Sequence, residues 1–329
     1  MPSAPIRFAP QILAKPWGGG SQLRAWGFPV PEVPPTGEVW LVSDVPGKSS
    51  RIVSGPGAGG TLEDLLRRDA REVLGDARLL AGRFPILVKL LEVRGALSLQ
   101  VHPDAEQAQR NGDGASGKFE AWSVLGTAPG ARTTLGFDTE LRPAEVRALV
   151  ANAMLQHRLN TFDAQAGDAY VLAPGTVHAA RGGLLLLEVQ ETADVTYRLY
   201  DWGAVGLDGR PRELHLEKAL AVARLAPLSP RRPPRPVPLD AGPGLRRRTI
   251  VSAGAGPFVY ELVDLEVGTR LEVGGDRRPW VVIGVEGVPQ LEGEPLPVGA
   301  AALWPGGTAA ATVNATSVRA TVALAAPAV

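Results

Sequence analysis

The sequence predicts a mainly β protein made of two barrels. Most of the chain consists of short segments rich in Val, Leu and Ile, separated by Gly or Pro. Many short strands with turn residues between them are typical of sandwiches and barrels. The chain has 329 residues, which exceeds an ordinary single domain of roughly 100–200 residues. A turn motif of the first half also has a weaker counterpart near the C terminus, which favours a repeated unit.

Strand-like segments dominate the first two thirds of the chain. They lie at 38–42, 86–91, 96–101, 122–125, 169–172, 184–189 and 196–202. Two other segments have helical character. Thr61 and Asp64 match a capping box, and apolar residues then keep helical spacing to Leu74. Pro143 suits a first helical turn and precedes a similar apolar pattern. We therefore predict helices over about 61–75 and 143–158, inserted in the β body.

A segment rich in Pro and Arg divides the chain. Residues 227–248 have no hydrophobic periodicity, so we predict a semi-rigid linker whose arginines are solvated rather than a phosphate-binding or partner-binding patch. The linker separates a metal-binding catalytic domain over 1–226 from a second β domain over 249–329.

The second domain carries the weaker copy of the turn motif. In the first domain, Gly167 to His178 has the pattern Gly-x₆-Pro-Gly-x₂-His, and Gly299 to Ala309 repeats it with one residue fewer. Ala309 takes the place of His178, and residues 249–329 contain no histidine. We infer a second barrel that kept the fold and lost the metal.

Composition excludes several classes of function. The 34 basic and 34 acidic residues give a formal net charge of zero, which argues against nucleic acid as the main partner. The chain has no cysteine, so disulfides and thiolate metal sites are excluded. Neither a signal peptide nor a membrane span is recognisable, so we expect a cytoplasmic protein, monomeric or homodimeric, that acts on a small molecule.

Three distant segments offer ligands for one metal ion. On a strand, Gln100 and His102 share one face because side chains alternate, and the same parity places Lys118 beside Glu120. The turn before His178 is suited to present that side chain at a barrel mouth. We therefore predict a site with nitrogen and oxygen ligands and a nearby cation.

Glu188 interrupts an otherwise apolar strand. A buried carboxylate is costly unless it is paired or catalytic. Arg198, on the next strand, is its expected partner. The residues alone favour a structural ion pair and a catalytic role equally.

Six motifs, in order along the chain, resemble the type I mannose-6-phosphate isomerases in their short bacterial form, and they cover roughly residues 10–220. They are Lys15-Pro16-Trp17-Gly18-Gly19, Gly37-Glu38-Val39-Trp40, Leu97-Ser98-Leu99-Gln100-Val101-His102-Pro103-Asp104, Gly117-Lys118-Phe119-Glu120-Ala121-Trp122, Pro174-Gly175-Thr176-Val177-His178-Ala179 and Thr196-Tyr197-Arg198-Leu199-Tyr200-Asp201-Trp202. The Gln-x-His-Pro element together with Lys-x-Glu is specific, whereas Pro-Gly-Thr-x-His alone indicates only a cupin.

The resemblance implies two cupin (jelly-roll) barrels and one Zn²⁺ ion per chain, bound by Gln100, His102, Glu120 and His178. It also implies that Arg198 acts in catalysis and that Lys118 and Glu188 line the substrate pocket. The implied reaction interconverts mannose 6-phosphate and fructose 6-phosphate through an enediol, for which a cation near O1 and O2 and a proton carrier are needed. Lys89, Ser98 and Lys118 are the candidates for binding the phosphate, and Arg198 is a further one.

Two other functions stay open from the sequence. One is a non-catalytic sugar-phosphate-binding or regulatory protein that retains the metal, which the presence of Arg198 and Lys118 disfavours. The other is an iron-dependent cupin oxygenase, which Gln100 as a fourth ligand and Lys118 disfavour. The ligand set would also accept manganese, cobalt or nickel.

Overall fold

The computed structural model describes residues 4–229 and 235–329. In the first half the strands are β1 Ile6–Phe8, β2 Gln11–Ala14, β3 Thr36–Val42, β4 Asp44–Val45, β5 Lys48–Ser49, β6 Ile52–Ser54, β7 Ile86–Val93, β8 Leu99–Val101, β9 Glu120–Thr127, β10 Arg132–Phe137, β11 Leu159–Asp163, β12 Ala169–Leu172, β13 His178–Arg181, β14 Leu184–Glu191 and β15 Tyr197–Tyr200. In the second half they are β16 Leu239–Gly242, β17 Leu245–Val251, β18 Phe258–Leu265, β19 Arg270–Val273, β20 Trp280–Glu286, β21 Gln290–Leu291, β22 Glu294–Pro295, β23 Ala301–Trp304, β24 Ala311–Asn314 and β25 Ala320–Pro327. The helices are α1 Ser21–Ala25, α2 Leu62–Leu74, α3 Ala105–Arg110, α4 Pro143–Ala151, α5 Leu216–Val222 and a 3₁₀ helix at Leu155–Arg158. The mainly β prediction is confirmed.

The first barrel consists of two antiparallel sheets with the strand orders β12-β9-β14-β7-β3-β2 and β11-β10-β13-β8-β15. Strands β7 and β14 lie at the centre of the larger sheet, and nearly all of their residues are buried. This burial on both faces explains why they read as continuous apolar runs. Lys89 and Glu188 interrupt the two runs and lie directly opposite each other.

The second barrel repeats this strand order. Its sheets contain the orders β16-β17-β18-β25-β20-β23 and β19-β24-β21-β22. Read in reverse, the first order is β23-β20-β25-β18-β17-β16, which corresponds strand for strand to β12-β9-β14-β7-β3-β2. The second order, also reversed, is β22-β21-β24-β19, which corresponds to β11-β10-β13-β8. The C-terminal half therefore has the repeated architecture that the paired turn motifs predicted.

Two strands of the N-terminal region belong to the sheet of the second barrel. β1 pairs with β23, with Ile6 opposite Leu303, and β6 pairs with the other edge of β1. Within the predicted linker, β16 and the start of β17 form a hairpin, and residues 230–234 lie outside the described ranges. The division into 1–226, a 227–248 linker and 249–329 stays a prediction, because sheet membership does not follow it.

Two of the helices lie where the apolar periodicity placed helical segments. At the start of α2, Oγ1 of Thr61 accepts from the backbone N–H of Asp64, and Oδ2 of Asp64 accepts from the N–H of Thr61, both at 3.1 Å. The segment predicted over 143–158 is α4 followed by the 3₁₀ helix. Ala153 between them has a φ of 52°, which interrupts the α-helix.

Three short helices were not predicted. They are α1, α3 and α5, and α3 has a readable signal, since Asp104 and Gln107 form a capping box. In the described part of the chain, none of the helices is long and apolar enough to cross a bilayer.

Candidate metal centre and its cavity

Three buried side chains converge at one end of the first barrel. His102 directly follows β8, Glu120 begins β9 and His178 begins β13. Their ligand atoms all lie within 4.8 Å of one another. Nε2 of His178 lies 2.9 Å from Oε1 of Glu120, and Nε2 of His102 lies 3.5 Å from Oε2. The three residues that the sequence placed at one centre therefore form a cluster that could hold a metal ion.

The fourth predicted ligand, Gln100, adjoins the cluster. It lies opposite His178 in the pairing of β8 with β13, and its Nε2 is 3.2 Å from Nε2 of His178. A side-chain amide presents an oxygen or a nitrogen to the same place after rotation by half a turn. Gln100 can therefore offer its carbonyl oxygen to an ion held by the other three residues.

Backbone carbonyls fix the orientation of both imidazole rings. Nδ1 of His102 lies 2.8 Å from the carbonyl oxygen of Val195, and Nδ1 of His178 lies 2.8 Å from that of Thr176. A neutral ring that donates from Nδ1 keeps the lone pair of Nε2 for a metal. In both residues Nε2 faces the cluster.

The charge state of the cluster suits a divalent cation. Burial, followed by the positive charge of Lys118, lowers the pKa of His102 to about 3, so the ring is neutral at physiological pH. Burial alone would raise the pKa of Glu120, but Lys118 and the two histidines hold it well below its usual range. Both oxygens of Glu120 lie within the cluster, with Oε1 2.9 Å from Nε2 of His178 and Oε2 2.8 Å from Nζ of Lys118. Neutral imidazole nitrogens and an ionised carboxylate are the donor set of a zinc-type site, and these residues fit one.

Lys118 connects this cluster to a second carboxylate. Its Nζ lies 2.8 Å from Oε2 of Glu120, 3.3 Å from Nε2 of His102 and 3.9 Å from Oε1 of Glu188. The predicted contact with Glu120 is present, although Lys118 precedes β9 rather than belonging to it. The backbone N–H of Lys118 donates to the carbonyl oxygen of Pro103, which holds Lys118 next to His102.

Glu188 is held by Lys89 and Trp122. Nζ of Lys89 lies 3.2 Å from Oε1 of Glu188, and Nε1 of Trp122 donates to Oε2 at 2.8 Å. Burial would lower the pKa of Lys89, but Glu188 and Glu38 outweigh it, so the pKa is raised and the amine stays charged.

The predicted ion pair between Glu188 and Arg198 is wrong. Arg198 lies on β15 in the smaller sheet, opposite Gln100, whereas Glu188 lies on β14 in the larger sheet. The chain crosses from one sheet to the other between these strands, so sequence neighbours are not neighbours in the sheet. Arg198 instead donates to the carbonyl oxygen of Glu213. Burial, followed by the nearby Arg212, lowers the pKa of Arg198. A guanidinium group in a protein is nevertheless effectively always charged.

A cavity of about 390 Å³ brings the other predicted site residues together. Its wall includes Lys89, Ser98, Gln100, Lys118, Glu188 and Arg198, all six of which the sequence singled out, together with Lys15, Trp17, Glu38 and Arg212. The buried cluster of His102, Glu120 and His178 contacts this wall through Gln100 and Lys118.

Lys15, Glu38 and Arg212 were not predicted as site residues. Lys15 and Glu38 form an ion pair with 3.1 Å between Nζ and Oε1, and both stand in motifs that the sequence did single out. Arg212, which pairs with both carboxylate oxygens of Asp201, lies in a stretch with no recognisable pattern.

A larger cavity of about 590 Å³ shares Asp194 and Thr196 with the first one. Its wall includes Arg83, Tyr197, His215 and Lys218. It contains none of the predicted metal ligands, so the smaller cavity is the candidate active site.

The family model and the relatives that match this chain are all mannose-6-phosphate (phosphomannose) isomerases. A family model for the catalytic domain of type I phosphomannose isomerase matches residues 6–121. The mannose-6-phosphate isomerase of Streptococcus mutans is 34% identical over 218 residues, which cover 66% of this chain and 67% of the relative. One mannose-6-phosphate isomerase of Bacillus subtilis is 33% identical over 222 residues, which cover 68% and 69%.

Solved structures extend the likeness to the whole chain. The crystal structure of mannose 6-phosphate isomerase from Bacillus subtilis superposes with a TM-score of 0.84 at 29% identity, over 98% of this chain and 99% of that one. A mannose 6-phosphate isomerase bound with zinc and yttrium superposes with a TM-score of 0.73 at 19% identity, over 99% and 100%, which shows the common fold.

Proposed function

Because the chain belongs to the type I mannose-6-phosphate isomerase family, we propose that the 390 Å³ cavity is its active site and that the resident ion is Zn²⁺, one per chain. The chain is an aldose–ketose isomerase that interconverts mannose 6-phosphate and fructose 6-phosphate. The observation that carries the site proposal is the convergence of His102, Glu120 and His178 beside Lys118, which lines the cavity.

In this proposal Gln100, His102, Glu120 and His178 hold the ion. When bound, the ion would supply Lewis acidity for the sugar oxygens that carry negative charge during isomerisation. The choice of zinc comes from the family, because two imidazoles, a carboxylate and an amide would also bind manganese, cobalt or nickel. Gln100 and Lys118, which line the cavity, contact this cluster, so the ion would lie next to the cavity.

Side chains of the cavity stabilise the charge that develops during the reaction and orient the substrate. The reaction moves a proton between C1 and C2, and negative charge develops on O1 and O2 of the enediolate. The ammonium of Lys118, next to the cluster, stabilises that charge and donates to a sugar oxygen. Arg198 acts as a fixed positive charge, since a guanidinium does not readily give up its proton. Glu188, held between Lys89 and Trp122, accepts hydrogen bonds from sugar hydroxyls and orients the substrate.

The phosphate-binding role predicted for Lys89 and Ser98 remains a proposal. Both line the cavity, and both are nearly fully buried. Since Lys89 contacts Glu188 and its charge is also balanced by Glu38, it is better placed to position Glu188 than to attract a dianion. Ser98 retains a hydroxyl that can donate to a phosphate oxygen, and Arg198 adds charge in the same wall. A cytoplasmic location and a monomeric or homodimeric state are also proposals.

Family membership disfavours the two alternative functions, the metal-containing binding protein and the iron oxygenase. The test is a coupled assay that follows mannose 6-phosphate conversion by protein stripped with a chelator and then reloaded. We expect activity to disappear on stripping and to return with Zn²⁺. A His178→Ala variant should bind little metal and show little activity. Full activity in the stripped protein would exclude a metal from the mechanism.

A further inference from the structure

The second barrel has a cavity at the place that corresponds to the active-site cavity of the first. The correspondence follows from strand pairing, because the two larger sheets share one strand order. In the first barrel, Glu120 at the start of β9 is opposite Leu172 on β12. In the second, Trp280 at the start of β20 is opposite Trp304 on β23. Trp280 therefore occupies the position of the metal ligand Glu120.

The same pairing identifies the counterparts of the charged residues on β7 and β14. Glu188 lies opposite both Trp122 and Lys89. Leu324, its counterpart, lies opposite Val282 and Glu261. Glu261 therefore replaces Lys89, and the catalytic-site carboxylate of Glu188 is replaced by an apolar side chain.

One strand further along, the charges are reversed as well. Glu38 lies opposite Leu91, two residues after Lys89. Arg247 lies opposite Val263, two residues after Glu261. The second barrel thus has the pair Glu261 and Arg247 where the first has Lys89 and Glu38, and Arg247 is hydrogen-bonded to Glu261.

These residues line a cavity of about 410 Å³, similar in volume to the 390 Å³ of the active-site cavity. Its polar wall includes Arg247, Glu261, Glu272, Asp276 and Arg278, with the indole of Trp280 beside them. Within residues 4–229 and 235–329, the only group suited to a metal is that of the first barrel. The second cavity has therefore lost the metal ligands but kept a polar lining.

The polar lining is organised before any ligand binds. Arg278 donates from Nε and Nη2 to Oδ2 of Asp276 at 2.8 and 2.6 Å, and Nε1 of Trp280 donates to Oδ1 at 3.0 Å. The guanidinium of Arg278 lies over the ring of Trp280, 5.1 Å from its centre.

Glu261 is a largely buried carboxylate on an otherwise apolar face of β18. Its neighbours on that face, Val259 and Val263, pack in the apolar core of the second barrel. The side chain of Glu261 is 10% exposed and that of its partner Arg247 is 35% exposed. An ion pair that reaches solvent on one side contributes little to stability, so stability alone does not account for Glu261 and Arg247.

The charged side chains in the wall of the second cavity indicate the chemical class of its ligand. The cavity wall carries two guanidinium groups and three carboxylates, and each guanidinium is already paired with a carboxylate. A phosphate dianion would meet an excess of negative charge. Hydroxyl groups, in contrast, can donate to the carboxylates and accept from the guanidinium N–H groups. A volume of about 410 Å³ lies within the ordinary range for small-molecule sites.

We propose that the cavity of the second barrel binds a neutral hexose. The site needs neither the metal nor the phosphate group on which the first barrel depends. It is therefore independent of the proposed active site.

The test is equilibrium dialysis of radiolabelled D-mannose, D-glucose and D-fructose against the zinc-loaded full chain, with mannose 6-phosphate present to saturate the first barrel. Thr249→Trp places a large side chain in the cavity at an exposed position of the wall. Thr316→Trp is the matched control, since Thr316 is exposed on the same barrel outside this cavity. We expect at least one hexose to bind saturably, at least tenfold more weakly to Thr249→Trp, and unchanged to Thr316→Trp.

A second variant keeps the test decisive if Thr249→Trp fails to fold. Glu261→Gln removes the charge of the carboxylate with little change in size and should also weaken hexose binding at least tenfold. Isomerase kcat and KM should stay within twofold of wild type in all three variants, and metal-stripped protein should still bind the hexose. Absence of saturable binding to wild type, equal binding by wild type and Thr249→Trp, or complete displacement by mannose 6-phosphate would each overturn the proposal.

Discussion

Nζ of Lys118 lies 2.8 Å from Oε2 of Glu120, so a buried ammonium group touches a carboxylate of the metal cluster. Both side chains are almost completely buried. The ammonium keeps Glu120 ionised, and together with His178 on the other carboxylate oxygen it fixes the direction of that side chain. Its effect on the metal and its effect on the substrate can be separated by substitution.

Lys118→Met should reduce catalysis without removing the metal. Methionine fills similar space without the charge, and a divalent ion can keep Glu120 ionised by itself. Losing a fixed positive group next to O1 and O2 should lower kcat by about 10²–10³-fold. Metal content by mass spectrometry and kcat from the coupled assay measure the two effects. Lys118→Arg should recover part of the activity, and a parallel loss of metal and kcat would show that Lys118 serves the metal site alone.

Arg198→Ala should lower kcat far more than metal content. The backbone of Arg198 pairs with Gln100, and this pairing does not need the side chain. The guanidinium faces the cavity and donates to the carbonyl oxygen of Glu213 outside the metal cluster. We expect a kcat lower by about 10²-fold with a metal content close to that of wild type. Arg198→Lys, which keeps the charge, is the control, and equal losses of metal and kcat in Arg198→Ala would make the role structural.

Gly75→Ala should destabilise the contact between α2 and the second barrel. Gly75 follows α2 at a φ of 61°, and an added Cβ would lie 2.3 Å from the carbonyl oxygen of Arg277. Gly112 has a similar φ of 69°, with no atom within 4 Å of an added Cβ. Gly112→Ala should therefore cost only the backbone strain, about 1 kcal/mol, and Gly75→Ala about 2 kcal/mol more. The free energy of unfolding in urea distinguishes them, and equal losses would show that the interface yields without cost.

The stability of the fold should decline above pH 10 partly because of Tyr197. Its hydroxyl donates to Oδ2 of Asp113 and accepts from Nδ2 of Asn111, both at 2.8 Å. Burial raises its pKa to about 12, and the hydrogen bond to Asp113 and the charge of Asp113 act in the same direction, against the hydrogen bond from Asn111. The folded state therefore holds a proton that the unfolded state releases near pH 10. The stabilisation is complete below about pH 10 and is lost as the pH rises to about 12.

Tyr197→Phe lacks this titration. Between about pH 9.5 and 11.5, the urea midpoint of wild type should fall more steeply than that of the variant, so the two curves converge. Parallel curves over this interval would contradict the assignment.

The sequence placed the residues of the candidate metal cluster together because its signals are local. Gln100 and His102 stand two residues apart on or next to one short strand, and the turn before His178 is recognisable without reference to other segments. The partner of Glu188 was misassigned because pairing across a sheet depends on topology. β14 and β15 are consecutive along the chain but lie in different sheets. The ion-pair partner of Glu188 is therefore Lys89, which precedes it by almost 100 residues, and not Arg198. Arg212 could not be found because no periodicity or motif surrounds it.

The pairing of β1 with β23 has a consequence for synthesis of the chain. Ile6 leaves the ribosome almost 300 residues before its partner Leu303. At about 5–20 residues per second, roughly 15–60 seconds separate the two events. Throughout that interval one edge of an apolar strand has no partner from the chain. β1 therefore completes its pairing only after β23 has emerged, and until then a nascent-chain chaperone or a transient contact can protect its free edge.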